Sequence, residues 1–159
     1  GVPKYPLADK KFGIFENRLC KPAQKLFRGF DDEFHVPQSR HTMIRREDIM
    51  NKPELEILAE AEDGDVCVVM AKDTGEVFMT GHLEYDTDTL GQEYWRDVNK
   101  GLNPKIPENY FRQNNPELKP NVTWRAHAHL FFNNWLNYHV YQETPFDVED
   151  IEGGVEQPD

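Results

Sequence analysis

Thiols are almost absent from this chain: Cys20 and Cys67 are the only cysteines in 159 residues. Two isolated cysteines exclude a disulfide framework and give no zinc-ligand spacing, a usage that suits a reducing cytoplasm. No apolar run reaches membrane-spanning length and no signal peptide is recognisable, so no membrane partner is expected. Basic residues are also in short supply, 18 Lys and Arg against 29 Asp and Glu, for a net charge of −11. A nucleic-acid partner would need a basic face, which this balance argues against. The deficit is partly local. Asp147, Glu149, Asp150, Glu152, Glu156 and Asp159 are six acids with no base among them, and removing those six from −11 leaves −5. Residues 147–159 therefore read as an acidic, solvated and disordered tail. An initiator methionine is missing too: the chain opens Gly1-Val2-Pro3. The expectation is an end made by processing or cloning, or a piece of a longer chain.

What is present is one globular domain's worth of sequence, 38% hydrophobic and 30% charged, without repeats or a second-domain boundary. Residues 1–11 read as a loop, with two prolines and three lysines. Phe12–Phe15 reads as a short strand, Leu26–Phe30 as an apolar run, and Glu33–Pro37 alternates before a polar turn at Gln38–His41. Arg46–Met50 is at best a short helix. Leu55–Glu60 has period-two character, and Asp65–Ala71 is the continuous apolar run of a strand buried on both faces. Lys72–Gly75 is a tight turn that returns the chain through Glu76–Thr80. A helix capped by Asp86 or Thr87 follows, with Leu90, Tyr94 and Val98 on one stripe and Gly101 as its stop. Residues 101–120 form a long loop with four prolines. Thr123 caps a second helix, running to about Gln142 with an apolar stripe through Trp124, Ala128, Phe131, Phe132, Trp135 and Tyr138.

The chemistry concentrates on Thr80-Gly81-His82-Leu83-Glu84-Tyr85-Asp86. In an extended segment, His82 and Glu84 lie on the same side, and a carboxylate on one ring nitrogen fixes the tautomer so that the other nitrogen acts as a base. The plainer reading is a His and a Glu capping a helix start. A metal site built on His82, Glu84 and Asp86 is a further alternative. Arg96 could clamp a carboxylate, or simply pair with Glu93 or Asp97. Cys67 sits among valines as inert core, and Cys20 lacks the elbow that presents a nucleophile. His127 and His129 lie about 200° apart on a helix and cannot share a metal. A base is thus present without a nucleophile.

Four stretches carry a resemblance: Phe27-Arg28-Gly29-Phe30-Asp31-Asp32, Pro37-Gln38-Ser39-Arg40, Thr80 through Asp86, and Trp124-Arg125-Ala126-His127 with Asn134 through Tyr138. In this order they resemble the homoserine O-acyltransferases of methionine biosynthesis, relatives of class I glutamine amidotransferases. The likeness runs over residues 1–146 and covers only that family's C-terminal half. Leu83 stands where the family has Pro, Gln38 where it has His, and Ala126 where it has Ser.

The resemblance implies an α/β fold of three layers, a sheet with flanking helices, like the flavodoxin-like glutamine amidotransferase fold. It implies ping-pong acyl transfer from succinyl-CoA or acetyl-CoA, through a cysteine upstream of Gly1, to the hydroxyl of L-homoserine. His82 would be the base and Glu84 its partner, with Lys10, Ser39 and Arg96 at substrate-binding positions. No metal and no cofactor beyond the acyl-CoA co-substrate is implied; a cytoplasmic homodimer is. Without the missing N-terminal half the chain is expected to be inactive. The rival readings are a serine O-acyltransferase, a non-catalytic amino-acid-binding module, and the metal-dependent hydrolase.

Overall fold

The computed structural model describes residues 1–142; the acidic stretch 147–159 lies outside them. Strands β1 (Tyr5–Leu19), β2 (Glu33–Met43), β3 (Leu55–Glu60), β4 (Val66–Ala71) and β5 (Val77–Met79) form one sheet in the order β2-β1-β3-β4-β5. Every neighbouring pair is antiparallel. Helix α1 (Arg46–Met50) precedes β3, while α2 (Thr89–Asn99) and α3 (Arg125–Trp135) follow the sheet. A π-helical turn at Leu136–Val140 extends α3, near the end expected for that helix.

Alternation along the strands divides the interior into two layers. Leu58 points into the larger cluster, with Ile14, Phe27, Phe34, Leu90 of α2, and Trp124 and Phe131 of α3. Its neighbour Ile57 packs with the smaller cluster of Ile49 from α1, Val66 and Val69. The larger cluster thus lies under α2 and α3 on one face of the sheet and the smaller one beside α1 on the other, a mixed α/β fold as expected. No helix among the described residues is long and apolar enough to cross a membrane.

Two expectations fail here. Residues 1–11 are not a loop, because β1 begins at Tyr5; nor is Gln38–His41 a turn, because β2 runs on to Met43. The two strands pair from Tyr5↔Met43 to Arg18↔Glu33, with the register shifting between Pro6 and Lys11. Pro37 is tolerated because β2 is an edge strand, where a missing backbone donor breaks no ladder bond. The helices lie close to their expected places, with Asp88 and Trp124 rather than Asp86, Thr87 or Thr123 at the N-cap positions. At the end of α2, Gly101 donates to the Val98 carbonyl and Leu102 to that of Asp97, a Schellman closure.

The long loop after α2 is held against β1. Ile14 N donates to Glu108 O at 2.8 Å, and Glu108 N donates to Phe12 O at 2.9 Å. Between them sits Gly13, at φ +141, where an added Cβ would fall 2.3 Å from the Glu108 carbonyl oxygen. Tyr110 and Phe111 then bury their rings in the main core.

Gly13→Ala should cost about 3 kcal/mol, from backbone strain plus a clash with main chain that cannot swing aside. Gly64→Ala, at φ +81 with open space around it, should cost about 1 kcal/mol. Urea unfolding measures both, with the midpoint falling furthest for Gly13→Ala; equal midpoints would refute the clash.

Candidate active site

The segment after β5 folds back on β2. His82 N donates to Pro37 O at 2.8 Å, and Gly81 lies so close to β2 that a Cβ there would fall 2.4 Å from Val36 Cγ1. The chain through Leu83 and Glu84 is a turn rather than the extended segment expected, with Tyr85 N donating to His82 O at 3.3 Å. The turn still delivers the expected pair: His82 Nδ1 and Glu84 Oε1 are 2.7 Å apart. The carboxylate accepts from Nδ1–H, which assigns the Nδ1–H tautomer and leaves the Nε2 lone pair free.

The Tyr85 ring stacks on the His82 imidazole, with centroids 4.3 Å apart and planes at 14°. Its hydroxyl donates to Glu93 Oε1 at 2.9 Å. The other oxygen of Glu93 accepts from Ser39 Oγ at 2.5 Å and Lys10 Nζ at 3.3 Å. Lys10 lies in the irregular stretch of β1 between the two registers, where a strand departs from regular side-chain alternation, and its ammonium sits 3.8 Å over the Phe12 ring.

Burial alone would push the Glu93 carboxyl up. The bonds from Ser39, Tyr85 and Lys10 together outweigh burial, so the carboxyl is held below its ordinary value of 4.5. Burial first, then Glu93, pushes the Tyr85 phenol up to about 12, so its hydroxyl keeps its proton.

Of the residues singled out by sequence, Lys10 and Ser39 meet at one carboxylate and His82 meets Glu84. Arg96 pairs with its chain neighbour, Nε to Asp97 Oδ1 at 2.8 Å, as the plainer sequence reading has it. That bond holds the Asp97 carboxyl below its usual range, and Glu93 and Tyr85 lie within electrostatic reach of the Arg96 guanidinium. Sequence reasoning names Glu93 only as a partner for Arg96 and gives Tyr85 no role. The available signal was the position of Glu93 one helical turn before Arg96, on the same face. Among the described residues, His82, Glu84 and Asp86 do not gather as a metal-ligand cluster.

Beside the pair lies a groove of about 610 Å³, floored by Gly81, His82 and Glu84 and walled by Phe131, Phe132 and Trp135. Neither thiol is an activated nucleophile. Burial drives Cys67 up to about 12, and burial followed by the nearby Glu60 charge raises Cys20.

The Glu93 shift carries a sign. Stability from its ionised form is present in full above 4.5 and is lost as pH falls through the lower folded value. Glu93→Gln should therefore cost about 1–2 kcal/mol near neutrality. The gap between wild type and variant should narrow as the pH drops below 4.5, read by denaturant midpoints across that range. A gap that stays constant would refute it.

A family model described as Homoserine O-succinyltransferase matches residues 1–146. A homoserine O-acetyltransferase 1 of Ilyobacter polytropus is 58% identical over 146 residues, covering 92% of this chain and 48% of that protein. A homoserine O-acetyltransferase of Bacteroides thetaiotaomicron is 57% identical over 152 residues, covering 96% and 50%. The chain thus spans about half the length of the relatives it matches. Among solved structures, a glutamine amidotransferase from Thermotoga maritima aligns with TM-score 0.56 at 14% identity, over 86% of this chain and 54% of that one. One from Methylobacillus flagellatus aligns with TM-score 0.52 at 11% identity, over 86% and 56%. These two share the fold alone. By the family model that spans residues 1–146, the chain belongs to the homoserine O-succinyltransferase family.

Proposed function

We propose that these residues form the base-and-acceptor half of a homoserine O-acyltransferase site. The observation that carries the reading is the 2.7 Å contact of His82 Nδ1 with Glu84, beside a carboxylate that draws Lys10, Ser39 and Tyr85 together. In this reading the nucleophile is a cysteine from outside these 159 residues: Cys67 is buried inside β4 and Cys20 sits partly buried, its thiol raised by burial and the nearby Glu60.

In the first half-reaction His82 Nε2 takes the thiol proton. The thiolate attacks the acyl carbon of acyl-CoA, and the CoA thiolate leaves, picking up that proton. In the second, Nε2 removes the proton of the homoserine γ-hydroxyl as that oxygen attacks the acyl-cysteine. The product is O-acylhomoserine, and the cysteine thiol is restored with its proton. Glu84 supports the imidazolium in both steps. Arg96 engages the amino acid's carboxylate by exchanging its partner Asp97, and Lys10 and Ser39 complete the acceptor pocket. The names of the relatives favour acetyl-CoA as donor over succinyl-CoA. The product belongs to methionine biosynthesis, and a cytoplasmic homodimer is part of the same reading.

Assayed alone with acetyl-CoA or succinyl-CoA and L-homoserine, the 159-residue chain should release no CoA. Within the full-length polypeptide, His82→Ala should lower homoserine-dependent CoA release by about 10²–10⁴-fold. CoA release by the chain alone, or an unaffected His82→Ala enzyme, would refute the split-site reading. L-serine replacing L-homoserine at equal rate would move the acceptor assignment instead.

A further inference from the structure

A single hydrogen bond does not orient an imidazole. The Glu84 carboxylate fixes where Nδ1 points, but the ring can still turn about that bond, and Nε2 turns with it. The plane is set by the group stacked on its face, the Tyr85 ring at 4.3 Å and 14°. Tyr85 is in turn held along its whole length. Its amide donates to His82 O at 3.3 Å, its carbonyl accepts from Trp124 Nε1 at 3.1 Å, and its hydroxyl donates to Glu93 Oε1 at 2.9 Å. The opposite oxygen of that carboxylate is the one Ser39 and Lys10 hold.

We propose that Tyr85 is a positioning residue that transmits the state of the Glu93 pocket to the plane of the His82 imidazole. The hydroxyl stays a donor because the phenol is pushed up to about 12, and Glu93 stays an acceptor because its carboxyl is held low. Ligands that draw Lys10 or Ser39 away from Glu93 therefore change what anchors Tyr85, and through it the direction of Nε2. The mechanical coupling stands on the contacts themselves. Its catalytic meaning rests on the acyl-transfer reading, and the two are tested separately.

The coupling is read by NMR of the histidine ring signals in the 159-residue chain. In the wild type the His82 ring protons should be displaced upfield by the Tyr85 ring current. Tyr85→Leu should abolish that displacement. Tyr85→Phe, which removes only the hydroxyl, should reduce it, as should Glu93→Ala. The double variant Tyr85→Phe/Glu93→Ala should go no further than Glu93→Ala alone, since losing the Glu93 carboxylate already removes the one hydrogen bond that Tyr85→Phe removes. His82 signals unchanged in Tyr85→Phe and Glu93→Ala, or effects that add in the double variant, would overturn the proposal. Should Tyr85→Leu fail to fold, the Phe and Ala variants decide the matter. In the full-length polypeptide, Tyr85→Phe should lower kcat roughly tenfold or more with KM for acyl-CoA unchanged. An NMR effect without a kinetic one would leave the coupling intact and overturn its catalytic meaning, while the role of His82 as the base stands or falls with His82→Ala.

Discussion

The β1–β2 ladder is the constraint from which the site hangs. It sets Ser39 opposite Phe12, two residues past Lys10, and Lys10 and Ser39 both reach the same carboxylate of α2. Its outer edge offers the Pro37 carbonyl to the His82 amide. Proline contributes no donor at that edge but its oxygen is free, so the residue that looks like a strand-breaker is the one that anchors His82. The loop carrying Glu108 is fastened to the other strand of the ladder, β1. A slip of one residue between β1 and β2 would turn Lys10 or Ser39 to the wrong face and separate them.

Buried charge reinforces that register. Asp65, at the start of β4, receives both Lys11 of β1 and Arg40 of β2, all three side chains mostly shielded from solvent. Glu60, at the end of β3, receives Arg46 and, at 3.5 Å, Arg18. Pairs of this kind add little net stability against an apolar alternative, but a misaligned strand would leave an unpaired charge inside. The acidic excess of the sequence is therefore not only surface. Two of its members act as register pins, and a third, Glu93, organises the site.

What was legible in the sequence follows from which patterns are local. Alternation marked β3, a continuous apolar run marked β4, the Lys72–Gly75 turn marked the return through β5, and stripes marked α2 and α3. His82 with Glu84 was legible because only Leu83 separates them, although a turn rather than a strand unites them. The start of β1 and the far half of β2, Gln38–Met43, were misread, the latter for a physical reason. Ser39 and Arg40 are polar because they bind Glu93 and Asp65, not because they face water as a turn would. The roles of Tyr85 and Glu93 depend on β1 and β2 arriving from far earlier in the chain, and no local period encodes that meeting.

Strand β5 is three residues long and, among the described residues, pairs only with β4. Phe78 on it is 52% exposed, and Phe132 and Trp135 on α3, walling the groove beside it, are 40% and 38% exposed. An open strand edge flanked by aromatic surface is adhesive, both through its unpaired backbone groups and through its apolar area. Held apart in solution, copies of this chain depend on their shared net charge of −11 for colloidal stability. Salt screens that repulsion and acid titrates it away. The shelf life of the isolated chain is thus an electrostatic property, set by buffer composition as much as by the strength of its fold.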